Sequence, residues 1–307
     1  MELRVLRYFL AVAREETISG AAESLHLSQP TLSRQLMDLE AELGKALFIR
    51  GKRKIALTEE GLLLRKRAQE ILELVEKTEA EFLAVDEVVS GDIYIGGGET
   101  HALRVIARVI KDLQREHPRI GFHLFSGNAA DVTDRLDKGL IDFGVLIEPA
   151  SVDKYESMRL PDVDTWGVLM RKDSSLAGCE AIVPADLWNL PLICSRQTLE
   201  GGEISGWMRR DYEKLDIVAT YNLVYNASLL VEEGVGHALC LAGIVNTSGD
   251  SPLLFRPLEP RLEARLDIVW KKHQVFSKAA RLFLVRLQES FGAQGLRPTG
   301  GRRPAGI

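Results

Sequence analysis

Leu3, Leu6, Phe9, Leu10 and Ala13 recur at helical spacing, so the chain opens with an amphipathic helix that ends at Glu15 and Glu16. Ile18, Ala21, Ala22 and Leu25 then make the inner face of a second, shorter helix. Thr17 is placed to cap it, and its two alanines allow another helix to approach closely. Leu32, Leu36, Leu39 and Leu43 mark a third helix by their four-three-four spacing. Ser28 is a good N-cap for it, Pro30 falls in a first turn whose amides lack intrahelical partners, and Gly44 suits its C-terminal cap. Two short helices tightly joined, the second with a polar tip, read as a helix-turn-helix. The tip carries Gln29, Thr31, Ser33 and Arg34, side chains that hydrogen-bond to base edges and phosphates.

Next, Leu47-Phe48-Ile49 and Ile55-Ala56-Leu57 flank a tip of Gly and Lys/Arg, the pattern of a small β-hairpin or wing. Thr58 then caps a long helix that begins with Glu59 and Glu60 at its positive end. Leu64, Ala68, Ile71, Val75, Thr78, Phe82 and Val85 alternate four and three residues apart, the spacing of a coiled-coil seam. This helix is expected to pair with a second copy of itself.

From Gly91 onward strand and helix alternate. Strands are expected at Asp92–Ile95, Ile120–Phe125 and Leu140–Ile147, with helices along Leu103–Leu113 and around Val132 and Leu136. A second unit of the same kind follows Pro161. It has strands near Trp166–Met170, Leu192–Cys194, Asp216–Ala219 and His237–Leu241, and helices near Ile204–Leu215 and Val224–Gly234. Ala264–Trp270 reads as a strand and Ala279–Phe291 as a last helix, so both lobes should be α/β with largely parallel sheets. Residues 293–307, rich in Gly, Pro and Arg, are expected to be disordered.

The 307 residues carry a formal net charge of −5, which alone would speak against nucleic acid. The charge is unevenly spread, however. Arg50, Lys52, Arg53 and Lys54 put four cations within five residues at the hairpin tip, and it is local fields that bind phosphate. No apolar run is long enough to span a bilayer and no secretory signal leads the chain, so a cytoplasmic protein is expected. Cys179, Cys194 and Cys240 are odd in number and widely spaced, as buried reduced thiols would be; a redox pair is the alternative. The six histidines lack metal-ligand spacing, Gly96-Gly97-Gly98 lacks the spacing of a nucleotide loop, and no GxSxG elbow occurs. Neither cofactor nor metal is expected.

These features converge on one family. Phe9, Thr17, Ala21-Ala22, Leu25, Ser28-Gln29-Pro30, Ser33, Leu39-Glu40, Leu43-Gly44, Leu47-Phe48, Arg50, Arg53, Leu57-Thr58 and Gly61, in this order and spacing, resemble the N-terminal domain of the LysR-type transcriptional regulators. The resemblance implies a winged helix-turn-helix over 1–58, a linker and dimerisation helix over 59–88, and a two-lobed α/β effector domain over 91–292 like the periplasmic binding proteins. Its chain would cross between lobes near Pro161–Asp164 and near Arg265–Asp267, giving lobe one 91–162 and 267–291 and lobe two 163–266. The DNA-contacting set would be Ser28, Gln29, Pro30, Thr31, Ser33, Arg34, Arg50, Lys52 and Arg53, with Leu64, Ala68, Ile71, Val75 and Phe82 forming the seam between two copies. The family's architecture further implies dimers paired into tetramers.

Ligands of open α/β sheets sit beyond the carboxyl ends of the strands, against helix N-termini. That places Thr100, His101, Asn128, Ser195 and Arg196 at the effector cleft, where hydroxyls, amides and Arg196 would suit a small carboxylate. Leu241 departs from the family pattern, which usually has proline there. Two other classes fit parts of the sequence. An enzyme built on the two lobes would leave the basic wing unexplained, and an architectural DNA-binding protein would not need two ligand-sized lobes.

Overall fold

The computed structural model describes residues 1–51, 54–83 and 89–292. Lys52, Arg53, Val85 and the tail 293–307 lie outside the described residues. The chain forms two compact units, Met1–Leu83 and Ala84–Ile307.

In the first unit, α1 (Leu3–Glu15) buries Leu6, Phe9 and Val12 and stops where Glu16 turns left-handed, its N–H returning to the Val12 carbonyl. Thr17 caps α2 (Ile18–Ser24) by accepting the Gly20 N–H at 3.2 Å. Ser28 caps α3 (Gln29–Leu43) through the Thr31 N–H, and Gly44 ends it at φ 63, a conformation that costs glycine nothing. Leu32, Leu36 and Leu39 are buried against α1 and α2, but Leu43 is exposed, so the apolar stripe is one turn shorter than its spacing implied. The C-terminal cap follows immediately and leaves nothing for Leu43 to pack against.

The hairpin is real. Phe48–Arg50 (β1) and Ile55–Leu57 (β2) pair antiparallel, with Phe48 opposite Leu57. Thr58 locks the junction behind it: its hydroxyl donates to the Ala46 carbonyl at 2.8 Å and accepts the Gly61 N–H at 2.9 Å. From there α4 runs as one helix, Glu59–Leu83. Its expected seam needs correction over the first half. Ala68 is fully buried in the core of its own unit, and Leu64 and Ile71 pack against that core. A four-three apolar period suits packing against α1 in the same chain as well as against a second helix. Leu64, Ala68 and Ile71 are therefore spoken for within one chain.

The second unit is two α/β lobes. Lobe one holds β3 (Gly91–Gly97), α5 (Leu103–Glu116), β4 (Ile120–Ser126), α6 (Ala129–Asp137), β5 (Phe143–Ile147) and β6 (Tyr155–Arg159). The chain then crosses into β7 (Asp164–Arg171), α7 (Pro184–Leu187), β8 (Leu192–Ser195), α8 (Arg196–Gly201) and α9 (Glu203–Met208). β9 (Ile217–Tyr221), α10 (Val224–Glu232), β10 (His237–Leu241), β11 (Leu253–Pro257) and β12 (Glu263–Ala264) complete lobe two. β13 (Leu266–Lys271) and α11 (Lys278–Gly292) return to lobe one.

Strand order is β4-β3-β5-β13-β6 in one sheet and β11-β7-β10-β8-β9 in the other. Both sheets are mixed rather than largely parallel. β3, β4 and β5 are parallel, as are β8, β9 and β10, but the connecting strands β13 and β7 run antiparallel to them. The chain enters each of these from the other lobe, without the helical crossover that keeps neighbours parallel. The helix expected over Ile204–Leu215 is also broken. α9 stops at Met208, Arg209 turns left-handed at φ 52, and a 3-10 turn follows at Tyr212–Lys214. Phe143, Phe283 and Ile268 centre the core of lobe one, and Val168, Leu192 and Met208 that of lobe two.

Candidate functional site

On α3 the tip is presented as an open surface. Gln29, Pro30, Thr31 and Arg34 are exposed, as is the N-cap Ser28, while Ser33 is half-buried. The Ser28 and Thr31 hydroxyls lie 2.7 Å apart, so part of the tip is held by its own cap. Arg50 lies on β1. Around the hairpin tip the Gly51 N–H donates to the Lys54 carbonyl at 3.0 Å, and the Lys54 ammonium pairs with Glu16, the residue that ends α1.

One residue that matters here had only family agreement to mark it. The Glu40 carboxylate, on the inner side of α3, accepts the Leu47 N–H at 2.7 Å and the Phe48 N–H at 3.2 Å. Hydrogen bonds to a charged acceptor contribute about 1.5–3 kcal/mol each. Glu40 thereby fixes α3 to the strand that carries Arg50.

In the second unit the cleft between the lobes encloses about 580 Å³ of space free of protein atoms, mouth included. Lobe one contributes Gly98, Glu99, Asn128, Ala129 and the strand end Val145–Glu148. Lobe two contributes Trp166, Ser195, Gln197, Thr198, Tyr221, Asn222, Val224 and the Cys240-Leu241 end of β10. Of the five residues expected here, Asn128 and Ser195 line the cleft and the other three do not. Asn128 also caps α6, accepting the Asp131 N–H at 3.0 Å while Asp131 accepts the Asn128 N–H.

Thr100 sits at the hinge instead. Its hydroxyl donates to Asp164, the first residue of β7, and accepts the Ala102 N–H at 3.0 Å. Burial pushes the Asp164 carboxyl above its ordinary range, and the Thr100 hydroxyl opposes that shift. His101 is exposed and packs beside Gly243, where an added Cβ would come within 3.1 Å of its ring. Arg196 is exposed on the first turn of α8 and takes no part in the lining, so the cation expected to meet a carboxylate is not there.

What does span the cleft is Gln197 and Glu99. The Gln197 amide donates to the Ile147 carbonyl and accepts the Ala129 N–H at the start of α6, both at 3.2 Å. Glu99, from lobe one, accepts the Val224 N–H at the start of α10 in lobe two. Arg159 braces the hinge behind them, donating to Asp267 at 2.9 Å and Glu148 at 2.8 Å. Gln197 stands in the segment expected at the cleft, but nothing local in sequence told it from Arg196.

Cys194 and Cys240 are not placed as a redox pair. Cys194 and Cys240 lie on neighbouring strands, but alternation sends them to opposite faces of the sheet, one into each core cluster. Burial pushes both thiols up to about 12, far from the thiolate that oxidation needs. Among the described residues no three His, Cys, Asp or Glu side chains gather as metal ligands would, and no helix is long and apolar enough to cross a membrane.

Comparison with known proteins decides the family. Residues 3–62 match the model of the bacterial regulatory helix-turn-helix protein, LysR family, and residues 86–292 match that of the LysR substrate binding domain. The chain belongs to the LysR family. It is a helix-turn-helix transcriptional regulator with an effector domain, and the relatives it matches are transcriptional regulators rather than enzymes. It is 32% identical over 219 residues to the HTH-type transcriptional regulator BsdA of Bacillus subtilis (strain 168), covering 71% of this chain and 74% of that one. It is 28% identical over 295 residues to the Hca operon transcriptional activator HcaR of Escherichia coli (strain K12), covering 94% and 98%. Among solved structures it shares its fold with full-length CbnR in complex with its target DNA. That likeness has a TM-score of 0.72 and 21% identity, and covers 94% of this chain and 100% of the other. For a LysR-family regulator the two surfaces described above are the places to look for DNA and effector.

Proposed function

We propose that this LysR-family regulator reads an operator in the cytoplasm with α3 in the major groove, and that a small molecule between the lobes changes how it does so. Gln29, Thr31 and Arg34 reach base edges, while Ser28 and Pro30 set the start of the helix. Ser33, half-buried on the flank of the same helix, enters the groove with them. The hairpin cations Arg50, Lys52 and Arg53 hold the phosphates alongside or enter the minor groove. The observation that carries this reading is the exposed polar tip of α3 tied by Glu40 to a basic hairpin. Its test is sequence-preferring binding to the duplex upstream of the protein's own gene.

Two such heads read a two-fold operator only when two chains are joined. The far half of α4 supports that pairing. Leu74, Val75, Thr78 and Phe82, with Glu79 beside them, line an open and mostly apolar groove, and Phe82 is 86% exposed. A helix that leaves a phenylalanine in water is completed by the same face of a second copy. The seam thus starts at Leu74 and keeps Val75 and Phe82 from the sequence reading. Changing Leu74 and Phe82 together to aspartate is expected to halve the mass measured by light scattering at micromolar concentration. The melting of the head should not move, because neither side chain belongs to its core. An unchanged mass would place the interface elsewhere.

The effector acts through the lobes only as far as it prefers one of their arrangements to another. Glu99 and Gln197, which bond across the cleft, are the contacts such a preference would exchange.

A further inference from the structure

Two features of the cleft bear on what it binds, given the reading of the cleft as the effector site, on which this inference rests. The first is charge. Among the described residues the charged side chains lining the cleft are Glu99 and Glu148, with no Lys or Arg. Glu148 is paired with Arg159 at 2.8 Å. Among the described residues Glu99 has no cationic partner; what it meets is the Val224 N–H at the start of α10. A carboxylate keeps lone pairs beyond the one a backbone N–H takes, so Glu99 can accept from a ligand as well.

The second feature is an orphaned donor. Trp166 lines the cleft, is 3% exposed, and its indole N–H has no hydrogen-bond partner. Buried polar groups without partners are rare in folded proteins and mark places where something else completes the bonding. Apart from Trp166, Glu99 and Glu148, the lining mixes amide and hydroxyl side chains with apolar ones, Val145, Ile147 and Ile244 among them.

We propose that the effector is a small amine, with its ammonium on Glu99, a hydrogen-bond acceptor on the Trp166 indole N–H and an apolar body against Ile147 and Ile244. A carboxylate is refused at this site for two separate reasons. Among the described residues no Lys or Arg lines the cleft to receive it, and it would stand beside the half-buried Glu99 carboxylate. Like charges a few ångströms apart at such a site disfavour the second one by on the order of tenfold in affinity. The ammonium reverses that sign.

The test uses the full chain and three probes matched in shape: benzylamine, benzyl alcohol and benzoate, each titrated by calorimetry and by thermal shift. Benzylamine is expected to bind at least about tenfold more tightly than benzoate, with benzyl alcohol between them. In the Glu99→Gln variant benzylamine should lose that advantage and benzoate should gain, whereas Trp166→Phe should weaken benzyl alcohol, whose oxygen can accept the indole N–H, and leave benzylamine, which carries no acceptor, little changed. The variant's own melting curve shows that it is folded. Benzoate binding as well as benzylamine, or a ratio unmoved by Glu99→Gln, overturns the amine assignment and leaves the cleft as the effector site. Absence of binding by any probe at millimolar concentration overturns the amine assignment together with the effector reading of the cleft.

Discussion

The double variant Gln29→Ala, Arg34→Ala is expected to bind its operator on the order of a hundredfold more weakly, while its binding to unrelated DNA barely changes. Each base-edge contact from a well-placed polar side chain is worth about 1–3 kcal/mol of discrimination, so losing two removes most of a specific site's advantage. Both residues are exposed on α3 and neither is counted in the core of the head, so the fold should tolerate their loss. The matched control removes Lys52 and Arg53 from the hairpin. Phosphate contacts carry no sequence information, so that variant should weaken both duplexes alike and flatten the salt dependence. Fluorescence anisotropy on the two duplexes separates these outcomes. If the α3 variant kept its preference while the hairpin variant lost it, the roles of the two elements would be reversed.

Phe9→Ala is expected to unfold the head and leave the lobes standing. Phe9 is fully buried, its ring 5.3 Å from that of Phe48, so it joins α1 to the base of the hairpin. Truncating a buried phenylalanine costs about 3–5 kcal/mol. Small domains have only about 5–15 kcal/mol to lose, and a head of this size falls near the lower end. Hydrogen exchange resolves the effect by residue: amides of α1, α2 and α3 should lose protection, whereas those of β3, β5 and β13 keep it. DNA binding should vanish with the head. Retained protection in α3 would mean that the helix does not depend on this core.

The head was readable because its signals are local. Thr17, Ser28 and Gly44 act on amides or carbonyls within one turn of themselves, and that is the range over which sequence spacing speaks. The reach of Glu40 to Leu47 and Phe48 is set by how the hairpin folds back, and no spacing rule encodes it. The first half of the expected seam on α4 was misplaced for a related reason. An apolar face names no partner, and α1 of the same chain took the half that includes Ala68.

In the lobes, alternation of strand and helix was legible but the bonds that shape the cleft were not. Glu99 meets Val224 across 125 positions of sequence and Thr100 meets Asp164 across 64. Thr100 and Glu99 are neighbours, yet one closes the hinge and the other faces the ligand space. Strand and helix direction decide that split, and likewise the one between Arg196, which faces water, and Gln197, which bridges the lobes. The expected carboxylate ligand rested on hydroxyls, amides and Arg196 together; Asn128 and Ser195 line the cleft and Arg196 does not.

A LysR-family regulator that reads an operator with α3 and a basic hairpin must prefer one DNA sequence and bind it in a salt-sensitive way. The direct test is to titrate the full chain with the duplex upstream of its own gene and with an unrelated duplex, each at two salt concentrations. The first duplex is expected to be bound more tightly by at least about a thousandfold at physiological salt, with both affinities falling steeply as salt rises. Equal affinity for the two duplexes, or no binding to either by a folded, self-associated protein, would contradict that reading.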